Sequence, residues 1–383
     1  MPTFTSQGQL FLELQDLIVP AKVSFYFELA RAYTENTLTT KQVNYSYLSS
    51  DGWKPLTSIA DDTNSFTCSG IITIDIPDDI TTVHDTVEGT NYWIAIGTTN
   101  DLDDFPETSF LNTNGFTLQR IVTATDFSTE TPQILASVIT SPQTAIPEIA
   151  ATVQPFASFG GKAAETTAQM NSRVSTRLKT KDRLVTIEDY FNAIRLEFPE
   201  VYYSKSIYSN TKKQAFSYLI KRVADVTETN AFEPLLSECK ELEIQQYIAE
   251  RVSPFVTVST ENFELNYVQI TATIQVQPGE DVTTVEKEVN NGINIFLAPW
   301  ITSAQAQITV DSGLNTAQLA TFINSYDSIL EVQSISFQLG TKNFTTGAIE
   351  YSAEAKQEVE STDGILLVPS LNNTTKNTLI TYQ

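Results

Sequence analysis

The sequence predicts an α+β multidomain protein. It reads as an N-terminal antiparallel β-sandwich, a central helix-link-helix and C-terminal split-βαβ-like αβ domains. Three observations carry this. Short β-branched and aromatic runs separated by turn residues fill 9–130, the mark of a sandwich or jelly roll. Apolar residues then recur at helical spacing through 160–199. From 201 onward, strand-like and helix-like periods alternate, as in an α+β layer. The expected divisions are 1–130, a β-sandwich-like domain; 131–158, a Pro-rich connector; 159–200, a basic helical core motif; 201–280, an αβ domain; and 281–383, a C-terminal αβ domain and tail.

Taken in order, the expected strands are 9–18, with Leu10, Leu12 and Leu14 alternating, then 23–29, 43–48, 70–77 and 92–97. Ser50-Asp51-Gly52 marks the turn before Trp53, because Asp-Gly accepts positive φ at low cost. Prolines 132, 142, 147 and 155 disfavour both helix and central strand across the connector. Met170, Val174 and Leu178 share one helical stripe, with Arg173, Arg177 and Lys181 on an adjacent one. Thr186 followed by Asp189 resembles a capping box; Ile187, Tyr190, Phe191, Ile194 and Phe198 continue an amphipathic helix that Pro199 ends. A strand pair is expected at 201–208 and 216–223, with Lys212-Lys213 in its turn. Further on come a helix at 232–252, a strand at 266–276, a helix at 282–297, a strand at 306–310, a helix at 316–326 and a strand at 332–339. In the weakly patterned tail only 365–368, stopped by Pro369, reads as a strand.

Composition bounds the function. Hydrophobic residues make up 41% of 383, enough for real cores. No apolar run is long enough for a membrane span, and no signal peptide is visible. The formal charge of −23 argues against nucleic acid and anionic membrane as partners. That charge is uneven: residues 151–222 carry 12 Lys/Arg against 6 Asp/Glu, while both flanks are strongly acidic. Such an island either docks on an acidic surface of a partner or pairs with acidic parts of its own chain. The two cysteines, Cys68 and Cys239, exclude a disulfide framework and point to synthesis in a reducing compartment; Cys239, on the apolar stripe of its helix, is expected to be an inert core residue.

The search for chemistry returns little. His84, the one histidine, has no partner nucleophile or ligand set in the sequence. The motifs of nucleophile elbows, zincins, dithiols and P-loops are absent, so no catalytic residue, metal or cofactor is expected. Asp61-Asp62, Asp78-Asp79 and the acids of 101–104 read as solvated turn residues in preference to calcium loops. Trp53 and Trp93 read as core or interface aromatics in preference to a carbohydrate platform, which remains the alternative function: a sugar- or receptor-binding sandwich.

The central segment carries a resemblance. Phe159-Gly160-Gly161, Glu165, the run from Arg173 to Thr186, Glu188-Asp189-Tyr190 and Phe198-Pro199-Glu200-Val201 resemble the core motif of baseplate J-like proteins, the wedge subunits of contractile phage tails and related injection systems. Tyr45 to Leu48, Trp53, Ile59 to Thr63 and Ser69 to Ile72 are similar to the β-domain that precedes that motif, and Phe296 to Pro299 to the C-terminal portion. Larger members carry a region ahead of the β-domain. The resemblance implies a structural wedge subunit, assembled in the bacterial cytoplasm into a phage tail or tail-like particle. Its implied partners are a second wedge protein, copies of itself in a six-fold ring, the central hub and spike, and the sheath. The candidate assembly interface is Arg173, Arg177, Lys179, Lys181 and Arg183.

Overall fold

The computed structural model describes residues 6–30, 41–85, 87, 89–99, 102–121, 133–161, 164–224, 230–302, 313–343, 347–370 and 378–382. The chain divides into two compact bodies: Met1–Gly115 with Arg183–Gln383, and Phe116–Asp182. The fold is α+β, as the sequence predicts, with five helices among the described residues.

The first body opens with β1 (Gly8–Leu14), β2 (Ala21–Leu29), β3 (Asn44–Ser49), β4 (Gly52–Pro55), β5 (Ile59–Asp61), β6 (Gly70–Ile76), β7 (Tyr92–Thr98) and β8 (Thr108–Thr113). These make two antiparallel sheets, ordered β1-β7-β3-β4 and β5-β6-β2-β8. Alternation decides what faces inward. In β2, Val23, Phe25, Phe27 and Leu29 are buried and the residues between them are not. Phe25, Phe27, Ile72, Ile74 and Ile94 are sealed between the sheets. Each such side chain contributes roughly 1.5–3 kcal/mol by leaving water. The β3–β4 hairpin closes at Gly52, whose φ of 102° no L side chain adopts cheaply. Strands β5 and β8 are additions to the sequence reading; β5 is three residues long and β8 carries little alternation.

The second body contains α1 (Thr167–Thr180). The first body resumes with α2 (Ile187–Glu197), β9 (Val201–Ser209), β10 (Gln214–Lys221), α3 (Glu238–Ala249) and β11 (Thr257–Asn262). Their sheet runs β11-β10-β9. β9 and β10 form the expected antiparallel pair, with Lys213 in the left-handed region of its turn. β10 and β11 are parallel, with α3 as the crossover. The helix expected at 232–252 starts only at Glu238. Pro234 has no N–H for a helical ladder, its carbonyl accepts from Lys221 N at 2.8 Å, and Leu236 N donates to Asn262 Oδ1 at 2.8 Å.

The remainder is β12 (Glu264–Val276), α4 (Val282–Leu297), β13 (Leu314–Asn315), α5 (Thr316–Ile323), β14 (Ile329–Lys342), β15 (Ile349–Tyr351), β16 (Glu358–Val359), β17 (Ile365–Pro369) and β18 (Thr378–Tyr382). β12 is the spine: it pairs antiparallel with β14 and parallel with β17 and β18. The α4 stripe of Val285, Val289, Ile293 and Leu297 shares one core with Ile270 and Ile274 of β12. The tail is thus more ordered than its sequence pattern indicates. The strand expected at 306–310 lies outside the described residues. A further core, containing Tyr202, Ile220, Phe263, Tyr267, Trp300 and Val368, joins the three-stranded sheet to the five-stranded one.

The cysteine reading requires correction. Cys68 and Cys239 are disulfide-bonded, with Cα atoms 5.0 Å apart and 171 residues between them in sequence. Cys239 is half-buried and cross-linked, not an inert core thiol. The sequence places these residues far apart; the fold brings the 61–70 turn against the first turn of α3.

Candidate assembly surface

Local sequence explains α1. Thr166 is its N-cap: Thr166 Oγ1 accepts from Gln169 N at 3.3 Å, and Gln169 Oε1 accepts from Thr166 N at 2.8 Å. Arg177 and Lys179 fall in the last turn, where positive charge complements the helix dipole. Lys181, at φ 55°, caps the C-terminus and donates its N–H to Arg177 O at 2.8 Å.

What α1 lacks is cover. None of its described residues is buried. Met170 is 44% exposed, Val174 42% and Leu178 75%, so the apolar stripe found in the sequence lies open. A helix of 14 residues is marginal in water without packing. The rest of the second body has the same character. Backbone bonds from Ser137 N to Gln154 O (2.9 Å) and Ser158 N to Ile134 O (2.8 Å) fold the connector back on itself. Yet Phe116, Leu118, Ile121, Leu135, Val153 and Phe159 are each more than half exposed. Among the described residues of 116–182, none belongs to the four clusters of buried apolar side chains. Sequence reading did not show that these side chains face outward, because without periodicity an apolar side chain gives no sign of which way it faces.

The five basic residues are distributed as follows. Arg173 grips Glu165 with two bonds, Nε to Oε1 at 2.6 Å and a terminal guanidinium nitrogen to Oε2 at 2.8 Å. These bonds hold the Glu165 carboxyl below its ordinary range. Arg177 Nε lies 4.0 Å from Asp182. Lys179 and Lys181 are exposed at the C-terminal end of α1. Arg183, also exposed, belongs to the first body; the division of the chain falls just before it. Three of the five therefore sit on α1, a fourth caps it, and part of their charge is met within the chain.

The α2 capping box forms as the sequence indicates: Thr186 Oγ1 accepts from Asp189 N at 3.3 Å, and Asp189 Oδ2 accepts from Thr186 N at 2.8 Å. Asp61 serves its own turn, accepting from Thr63 N at 2.7 Å and Ser65 N at 3.0 Å. Asp79 accepts from Tyr47 and Lys54 at 2.8 and 2.9 Å. Among the described residues no cluster of acids, cysteine and histidine is disposed to hold a metal ion. His84 Nε2 lies 3.4 Å from Asn91 O. Trp53 packs on Phe11 at 5.6 Å with rings tilted 49°, and Trp93 Nε1 is enclosed. No described helix is long and apolar enough to cross a membrane.

Comparison with known proteins places the chain. None of the curated proteins compared with it matches. Among solved structures it is similar to a chain in a cryo-EM structure of the anti-feeding prophage baseplate, 6-fold symmetrised. The identity there is 13%, the match covers 94% of this chain and 76% of the other, and the TM-score is 0.40. The family model described as "Baseplate protein PVC11-like" matches residues 1–366. Nearly the whole length is included, from the sandwich through the basic segment to β17, and the chain therefore belongs to the family of PVC11-like baseplate proteins.

Proposed function

We propose that this chain is a non-enzymatic wedge subunit in the baseplate of a contractile phage tail or injection system, and that α1 is the element with which it grips a neighbouring subunit. The single observation behind this reading is the uncovered apolar stripe of Met170, Val174 and Leu178 bordered by Arg173 and Arg177. An apolar stripe gains from burial. The arginines add orientation, since guanidinium–carboxylate pairs are geometrically specific, although each exposed pair gives only about 0–1 kcal/mol. The neighbour's matching surface is accordingly acidic around an apolar centre. A second wedge protein and further copies of this chain are the proposed partners, arranged around a hub and spike and linked to the sheath.

The test is co-expression with the other baseplate subunits, followed by size-exclusion chromatography. The double variant R173E/R177E is expected to lose the complex, with at least a tenfold weaker affinity. Its circular dichroism and melting temperature should match the parent. A variant that assembles normally contradicts the reading. A variant that unfolds shows that the Arg173–Glu165 pair is internal structure.

A further inference from the structure

The junction between the sandwich and α3 is constructed unlike the rest of the first body. Among the described residues, each cluster of buried apolar side chains lies wholly on one side of it: one within residues 12–96, the others beyond 183. The links across it are polar and covalent. Lys41 Nζ meets Glu238 Oε2 at 3.0 Å, with side chains only 4% and 13% exposed, and Lys41 also stands 5.7 Å from the Phe105 ring centre. One residue beyond Glu238, Cys239 is bonded to Cys68.

Both cysteines are held by rigid neighbours. Cys68 N donates to Thr63 O at 2.9 Å, in a turn where Asn64, Ser65 and Phe66 are all left-handed. Phe66 anchors that turn in the sandwich core, 5.0 Å from Phe27. Cys239 sits in the first turn of α3, whose Ile244 and Ile248 are sealed in the αβ core. Both bonded cysteines are half-buried.

We propose that Cys68 and Cys239 form an oxidation-set lock on this junction, open while the chain is made among thiols and closed when a small-molecule disulfide reaches it. One cysteine thiolate attacks the small disulfide, forming a mixed disulfide and releasing one small thiol. The other cysteine then attacks the protein-bound sulfur, forming the Cys68–Cys239 bond and releasing the second small thiol. Two protein thiols lose two electrons and two protons, and the oxidant gains them. Because no apolar cluster among the described residues spans the junction, the covalent bond and the buried ion pair are the links that hold the two sides.

The experiment uses the full chain in dithiothreitol or in oxidised glutathione, with C68S/C239S as reference. Alkylation with mass analysis counts free thiols, and hydrogen exchange follows the amides of Thr67, Cys68, Leu236 and Lys240. Oxidised protein should take no alkyl group and reduced protein two. Exchange at the four amides should be at least tenfold faster in reduced protein and in C68S/C239S, with amides in β2, β6 and β12 unchanged. Two alkyl groups after oxidation, equal exchange in both states, or global unfolding on reduction would each overturn the proposal. Should the double variant fail to fold, the reduced parent still gives the reading.

Discussion

Trp300→Ala lowers the unfolding free energy by about 3–5 kcal/mol. Trp300 follows α4 in a single 3₁₀ turn, Pro299–Ile301, and is 1% exposed. It shares a core with Tyr202 and Ile220 from the three-stranded sheet, with Tyr267 and Val368 from the five-stranded one, and with Phe263 between β11 and β12. Removing the indole therefore opens a cavity at the place where the two sheets meet. It also leaves Ala231 O without the bond it accepts from Trp300 Nε1 at 3.0 Å. Trp300→Phe keeps much of the packing and loses that bond, so its cost is smaller, about 1–3 kcal/mol. Urea unfolding followed by circular dichroism measures both. Equal costs for the two variants would mean that the hydrogen bond, and not the ring, holds the seam.

The second large effect is a pH dependence centred on Glu241. Its side chain is fully enclosed in α3; Oε1 accepts from Asn262 Nδ2, and Oε2 has no partner. Burial pushes its pKa up from the ordinary 4.5 to about 9, with the Glu238 and Glu261 carboxylates adding repulsion. Lys41 faces Glu238 across the junction, as described above. The folded state thus holds the Glu241 proton more tightly than the unfolded chain does. Its contribution is fully present below pH 4.5 and is lost as pH rises toward about 9. The slope approaches about 1.4 kcal/mol per pH unit. Glu241→Gln has no charge to bury, and its carbonyl can still accept from Asn262. Between pH 5 and pH 8 the parent should lose on the order of 4 kcal/mol relative to this variant in chemical unfolding. Taking the difference between the two proteins cancels the other titrating groups. Parallel stability curves would show that Glu241 is charged in the fold or reached by water.

The same neighbourhood shows where sequence reading succeeds and where it stops. Helices α2 and α4 were legible because their signals are local. Thr186 and Asp189 cap one, and Val285, Val289 and Ile293 recur at helical spacing on the other. Strand β11 was not legible: Thr257–Asn262 is polar apart from Val258, yet five of its six residues are buried. Its burial is satisfied by tertiary bonds: Thr260 Oγ1 donates to Glu241 O at 2.7 Å, and the Asn262 side chain clips Leu236 O at 2.9 Å and Leu236 N at 2.8 Å. No local period encodes such a strand. The disulfide is a stronger case, because pairing across 171 residues exists only after the fold does. For the assembly segment the sequence supplied the stripe and the charges, but it left open whether Met170, Val174 and Leu178 fill a core. In the fold they do not.

That exposed stripe is the centre of the account. A cryo-EM map of the assembled particle at side-chain resolution tests it most directly. The account predicts that Met170, Val174 and Leu178 are buried against a neighbouring subunit, with Arg173 or Arg177 within hydrogen-bonding reach of that neighbour's carboxylates. A map in which the stripe stays in solvent, or is covered only by the chain's own residues, would contradict it.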